Sequence, residues 1–341
     1  MDPAFSRPNR PVALPDRDFK MSPTPLLDQR VVVVLGKGGV GKSVVSAALG
    51  MRAVAAGKRA IVAECGGAES MATLFDRPGV GYSGAELSPG LHALSITPDQ
   101  AVEEYLIRML KFRLLYEVVF RNRYVEPFMN GVLGLSDLIS IGKVMDLEWS
   151  RADGTHGPDP QGPPQYDLVI LDSPSTGHGL SLLRAPQTIM DITRVGPLHN
   201  NARMIRDLLA DRTRVSVLLV TLAEEMPINE TIELHAELAE KVDIEIAGVV
   251  VNGVPPKIFA QDDAAQHWEE LQRLAEELGP QAQRVIADGQ RGLRDRERAE
   301  HHIARLRESI DLPVAELPLL ARRDLDPQSL LDLGEHLRWL K

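Results

Sequence analysis

Residues 30–43 read Arg30-Val31-Val32-Val33-Val34-Leu35-Gly36-Lys37-Gly38-Gly39-Val40-Gly41-Lys42-Ser43. The first six are a short continuous apolar run, the pattern of a strand buried on both faces. The last eight match the phosphate-loop pattern G-x-x-x-x-G-K-[ST] at every fixed position. Residues 42–57 then read as a helix ending at Gly57, so a strand precedes the loop and a helix follows it. Each loop residue has a chemical reason. Gly36, Gly38, Gly39 and Gly41, with Val40 between them, let the backbone turn its N–H groups onto a phosphate. The helix start adds partial positive charge. Lys42 is expected to reach the β- and γ-phosphates, and Ser43 to ligate Mg²⁺. The loop therefore predicts binding of ATP with Mg²⁺.

Working outward, further apolar runs are expected as strands at Arg59–Cys65, His92–Ile96, Asp167–Leu171, Val215–Leu222 and Ala247–Val251. Helical stretches near 199–210 and 229–241 lie between the later strands, and residues 262–309 read as charged helices interrupted at Gly279-Pro280. Alternation of this kind predicts an α/β fold with a doubly wound, mostly parallel sheet. Residues 99–150 break the alternation. Val102, Tyr105, Leu106, Met109, Phe112, Tyr116, Val119 and Phe120 fall near helical spacing, so this stretch is expected to be an inserted helical subdomain. The organisation that follows is a disordered tail over 1–29, a core over 30–98 and 166–341, the insertion over 99–150, and an exposed loop over 151–165.

Composition limits the function. The chain has 341 residues, 44% hydrophobic and 25% charged, an ordinary globular balance. Its net charge of −10 argues against a nucleic-acid partner. Residues 1–29 carry six prolines and lack the apolar stretch of a secretion signal. No run approaches the roughly 18–20 apolar residues that span a bilayer. Stable membrane insertion is thus not expected, and the chain reads as cytoplasmic. Nine histidines show no convincing metal-ligand spacing, and His301-His302 falls in a charged helix.

The string GKGGVGKS, with the extra lysine Lys37, resembles the deviant phosphate loop of dimeric ATPases that include the MinD and ArsA families. That resemblance implies a dimer in which Lys37 reaches the partner's nucleotide. Residues 172–186, Asp-Ser-Pro-Ser-Thr-Gly-His-Gly-Leu-Ser-Leu-Leu-Arg-Ala-Pro, resemble the D-T-A-P-T-G-H-x-L-x-x-L-x-x-P signature of the ArsA family. This family holds arsenite-efflux ATPases and the targeting ATPases of tail-anchored proteins. The resemblance implies that Asp172 holds Mg²⁺ or its water shell, and that Thr176, Gly177 and His178 form a nucleotide-sensing switch. Asn252, ending Val249-Val250-Val251, is similar to a strand-end asparagine that contacts adenine. Pro318, with Leu317, Leu319, Arg322 and Arg323, occupies the place of a late loop over the base. The inserted helices are similar to a region that forms a client groove in the family. Partners are accordingly a related ATPase chain, as homodimer or heterodimer, and an apolar protein client.

The chain also departs from the family. Where the family's first switch reads D-P-A-H, this sequence has Glu64-Cys65-Gly66-Gly67-Ala68-Glu69. Gly66 stands in place of the aspartate that positions the attacking water, and glycine has no side chain to do so. Glu64 and Glu69 are both candidates to substitute, and slow hydrolysis is expected. Cys65 is the one cysteine, so neither a three-thiolate arsenite site nor a C-x-x-C zinc clamp is present. The C-terminal Leu330–Lys341 is short and mixed in charge, unlike the basic amphipathic helix of a MinD-type membrane anchor. The chain most resembles bacterial ArsA-like ATPases, acting either as a nucleotide-driven switch for a client or as a weakly hydrolysing subunit of a heterodimer.

Overall fold

The computed structural model describes residues 25–66, 69–110, 134–157, 161–174, 176–257, 264–320 and 325–337. Eight strands form one sheet: β1 Val31–Gly36, β2 Ala60–Cys65, β3 Ala85–Ser88, β4 Leu91–Ile96, β5 Leu168–Asp172, β6 Val215–Leu222, β7 Glu245–Val254 and β8 Val314–Pro318. Their order is β3-β4-β2-β5-β1-β6-β7-β8. Every neighbouring pair is parallel except β3 on β4. The expected α/β architecture is therefore present, with an antiparallel edge that no sequence pattern announced.

Apolar runs became central strands because both sheet faces are covered. Val31 to Leu35 are all buried, the odd-numbered residues on one face and the even-numbered on the other. Burying each such side chain contributes about 1.5–3 kcal/mol. On one face lie α1 (Lys42–Ala55), α2 (Ser70–Leu74) and α10 (Pro327–Glu335). The opposite face carries α3 (Pro98–Leu110), α4 (Leu135–Trp149), α5 (Thr176–Ile192), α6 (Pro197–Leu209), α7 (Glu225–Lys241) and α9 (Pro280–Ser309). The remaining helix, α8 (Ala264–Leu278), packs along α9. The break at Gly279-Pro280 falls where composition placed it.

Several boundaries differ from expectation. The core begins at Leu26, which is buried in a turn of 3-10 helix, rather than at Arg30; residues 1–24 of the expected tail lie outside the described residues. Pro318 closes an edge strand paired with Val254 rather than sitting in a plain loop. Arg322 and Arg323 lie outside the described residues, as do residues 111–133 of the insertion.

The described part of the insertion is bound to the core. In α4, Leu135, Leu138, Ile139, Ile141, Val144, Met145 and Leu147 are buried. At its C-terminal end the buried carboxylate of Glu148 accepts from Arg30 Nε at 3.4 Å and from Arg214 Nη2 at 2.5 Å, tying the helix to the lower ends of β1 and β6. Between α3, α4 and α6 lies a cavity of about 310 Å³, walled by Leu138, Met145, Trp149 and Met204, with Glu104 and Lys143 at its polar side. Met145 belongs to this wall and the core. The side chains of Leu106 and Met109, with Phe112 and Met129, lie outside what is described.

Candidate nucleotide site

The loop at the C-terminal end of β1 enters α1 through Gly41, whose φ of 89° is a left-handed conformation that glycine adopts without strain. A Cβ on Gly41 would stand 2.1 Å from Nδ2 of Asn252. That amide donates to the carbonyl of Val40 at 3.0 Å. Asn252 thus braces the phosphate loop from the end of β7, a role its sequence position alone did not suggest. Beside it, Leu319 N–H donates to the Val254 carbonyl at 2.8 Å, which brings the Pro318 turn to the same edge.

Lys42 folds back on the loop, its Nζ donating to the carbonyls of Gly36 at 3.1 Å and Lys37 at 3.0 Å. Its pKa is lowered by burial, against the opposing pull of Asp172. The Ser43 hydroxyl donates to Oδ2 of Asp172 at 2.6 Å. So the two expected metal-binding residues, 129 positions apart in sequence, meet. Oδ1 of Asp172 is buried with no partner within hydrogen-bond distance; the Ser46 hydroxyl, one turn along α1, stands by the same carboxylate and acts on it. An oxygen-only set with an unpartnered buried carboxylate oxygen suits Mg²⁺, which prefers hard oxygen ligands.

Glu64 and Asp172 are register partners on β2 and β5. Glu64 is 2% exposed; its Oε1 accepts from Met71 N–H at 3.2 Å, and its Oε2 has no partner. Burial first, with the charge of Asp172 adding, pushes its pKa up to about 7. Glu69 is placed differently: its Oε1 accepts from Gly81 N–H at 3.3 Å, which ties it to a neighbouring turn. Gly66 is exposed at φ 105°, and a Cβ there would meet nothing within 4 Å.

Lys37 lies in the loop as expected, with its Nζ on Sδ of Met226 at 3.4 Å and paired to Glu230, both on α7 of the same chain. Glu230, in the second turn of α7, was missed by the sequence reading. Asp137, on the first turn of α4, was also missed. It lies close enough to Cys65 and His178 for its charge to bear on both pairings. His178 is exposed at the start of α5; the side chains of Thr176 and Gly177 lie outside what is described. The Cys65 thiol is pushed up to about 12 by burial and by the carboxylates of Asp172 and Asp137.

Comparison with known proteins identifies the family of the chain. The model of the anion-transporting ATPase family, ArsA type, matches residues 29–196 and 191–277. ATPase BagA of Mycobacterium tuberculosis (strain ATCC 25618 / H37Rv) is 31% identical over 246 residues, covering 70% of each chain. The arsenical pump-driving ATPase of Escherichia coli is 28% identical over 266 residues, 71% of this chain and 43% of that protein. The same named protein of Acidiphilium multivorum is 27% identical over 266 residues, with the same two shares.

Proposed function

This chain belongs to the ArsA-type anion-transporting ATPase family, and from that premise we propose that it is a dimeric switch driven by ATP binding and hydrolysis. The observation that carries the reading is the Ser43–Asp172 hydrogen bond of 2.6 Å at the mouth of a complete phosphate loop. Loop N–H groups and Lys42 hold the β- and γ-phosphates. Ser43 and Asp172 hold the metal, which when bound neutralises charge on the phosphate oxygens. Asn252 keeps the loop in shape from below, and the turn at Pro318 borders the base side. Water attacks the γ-phosphorus, the bond to the β–γ bridging oxygen breaks, and ADP and phosphate leave. Hydrolysis is slow, because Gly66 offers no carboxylate to orient the water.

Lys37 acts across a dimer interface, adding a second cation to the partner's polyphosphate. To do so it leaves Glu230. Thr176 to His178 sense the γ-phosphate, and the inserted helices carry the response to an apolar or membrane-associated protein client. The apolar cavity framed by α3, α4 and α6 supports an effector role for this region. Arsenite is not the expected ligand. A soft metalloid centre is held by several thiolates, and the single thiol here is half-buried and held protonated.

A second reading, a weakly hydrolysing subunit of a heterodimer, is favoured by Gly66 itself. One experiment separates the two: ATP turnover of the purified chain, alone and mixed with a related chain, beside Lys42→Ala. Turnover alone that Lys42→Ala abolishes supports the switch; turnover only in the mixture supports the heterodimer. Equal nucleotide affinity of wild type and Lys42→Ala by calorimetry refutes both.

A further inference from the structure

Two carboxylates meet in the site, but only Asp172 has a role there so far. Glu64 and Asp172 face each other across β2 and β5, in register. Side chains opposite each other on neighbouring parallel strands leave the same face of the sheet, here the face that carries α1 and Ser43. Both are more than nine-tenths buried, at 2% and 5% exposure. No partner lies within hydrogen-bond distance of Oε2 of Glu64 or Oδ1 of Asp172, although the hydroxyls of Ser70 and Ser46 act on the two carboxylates. Buried carboxylate oxygens without partners are costly and rare in folded proteins. Lys42 acts on Asp172 and spends its donors on loop carbonyls; among the described residues no cation acts on Glu64. Once both carboxyls are ionised, two negative charges against one ammonium leave an excess that a divalent cation offsets.

We propose that Glu64 belongs to the magnesium shell, holding the cation jointly with Asp172 and Ser43 rather than replacing the missing water-orienting aspartate. Distance along the sheet sets the mode. β5 adjoins β1, from which the loop and Ser43 emerge, whereas β2 lies one strand further out, about 4.8 Å away. Magnesium ligands sit at about 2.0–2.1 Å, and the ion keeps several of its waters. Glu64 therefore acts through a metal-bound water, as a positioning residue. Its Oε1 is already fixed by Met71 N–H at 3.2 Å, which leaves Oε2 as the accepting atom. That bond also joins the metal shell to the first residues of α2, directly after the Gly66 turn.

The inference rests on the phosphate loop being a nucleotide site, and its test separates the two. Mn²⁺, in place of Mg²⁺, is titrated into the full-length chain saturated with ADP. Calorimetry gives the affinity and water-proton relaxation reports the bound waters. ADP affinity without metal is measured alongside. Glu64→Gln is expected to weaken Mn²⁺ binding roughly tenfold and to change the relaxation signal, while metal-free ADP affinity moves less than twofold. Glu64→Asp, which keeps a carboxylate but withdraws it by one methylene, should fall between. Unchanged Mn²⁺ affinity in Glu64→Gln overturns the proposal. So does a loss for Mn²⁺ matched by an equal gain for ADP, the mark of a diffuse charge effect. Should the Gln variant not fold, Glu64→Asp decides alone: Mn²⁺ affinity equal to wild type overturns the proposal. Wild type that binds ADP but not Mn²⁺ defeats this inference and spares the nucleotide reading; wild type that binds neither defeats both.

Discussion

Gly41→Ala, set beside Gly39→Ala, tests whether Asn252 shapes the phosphate loop. Both glycines are left-handed, at φ 89° and 86°. An alanine at either pays about 1–2 kcal/mol for that conformation. Their surroundings differ. A Cβ at Gly39 meets nothing within 4 Å, whereas one at Gly41 stands 2.1 Å from Asn252 Nδ2. Relieving that overlap displaces the loop or breaks the 3.0 Å bond to Val40, adding about 1–3 kcal/mol for overpacking. Gly41→Ala should therefore cost about 2–5 kcal/mol, and Gly39→Ala only the conformational part. Chemical denaturation gives the stabilities, and calorimetry with ATP shows whether the displaced loop still binds. Adding Asn252→Ala opens the space, so Gly41→Ala in that background should cost no more than Gly39→Ala. Equal costs for the two glycine variants, or no coupling to Asn252, would refute the bracing argument.

Three further outcomes follow from the site. Glu230→Gln frees Lys37 from a partly exposed ion pair worth about 1 kcal/mol or less, so turnover at subsaturating dimer should rise up to about fivefold; unchanged turnover and dimer affinity would show that the pair restrains nothing. Gly66→Asp has room for its side chain but bears a φ of 105°, so stability should fall by about 1–2 kcal/mol while phosphate release quickens; slower release than wild type argues against the missing-carboxylate explanation. The Glu64 carboxyl, at about 7 in the folded chain against an ordinary 4.5, makes the folded state bind more protons between those values. Metal-free stability should then decline as pH rises from about 4.5 to 7, by about 3 kcal/mol at most, and level off above. Glu64→Gln should flatten that decline, and an equally steep slope in the variant assigns it to other groups.

The central fold was legible because its strands are apolar on both faces and the phosphate loop fixes a strand, a turn and a helix start together. Val215–Leu222 was delimited to the residue. Elements that lack such redundancy escaped. β3 is four residues, Ala-Glu-Leu-Ser, with an irregular register against β4, too short for an alternating pattern to register. α5 continues through Pro186, where a sequence rule ends a helix, because its apolar side packs on the core. Within the site, Ser43, Lys42 and Asp172 were singled out from motif and strand ends, and the first and last of them meet. The pairing of Glu64 with Asp172 was not, because it depends on β2 lying next to β5, an order that emerges only when the sheet is assembled. The bracing of Val40 by Asn252 was hidden for the same reason, being a contact across 212 positions.

The clamp on Glu148 has a mechanical meaning for the insertion. α4 is held at its C-terminal end by two arginines rooted beside β1 and β6, while its first turn, with Asp137, lies by Cys65 and His178. Its 15 residues span about 22 Å. A rod pinned at one end transmits motion only as rotation about that pin. A displacement of about 2 Å at the nucleotide-facing end then tilts the helix by about 5°, and the displacement shrinks steadily toward Trp149. The wall of the apolar cavity along α4 would therefore open like a wedge, widest near Leu138 and closed near Trp149.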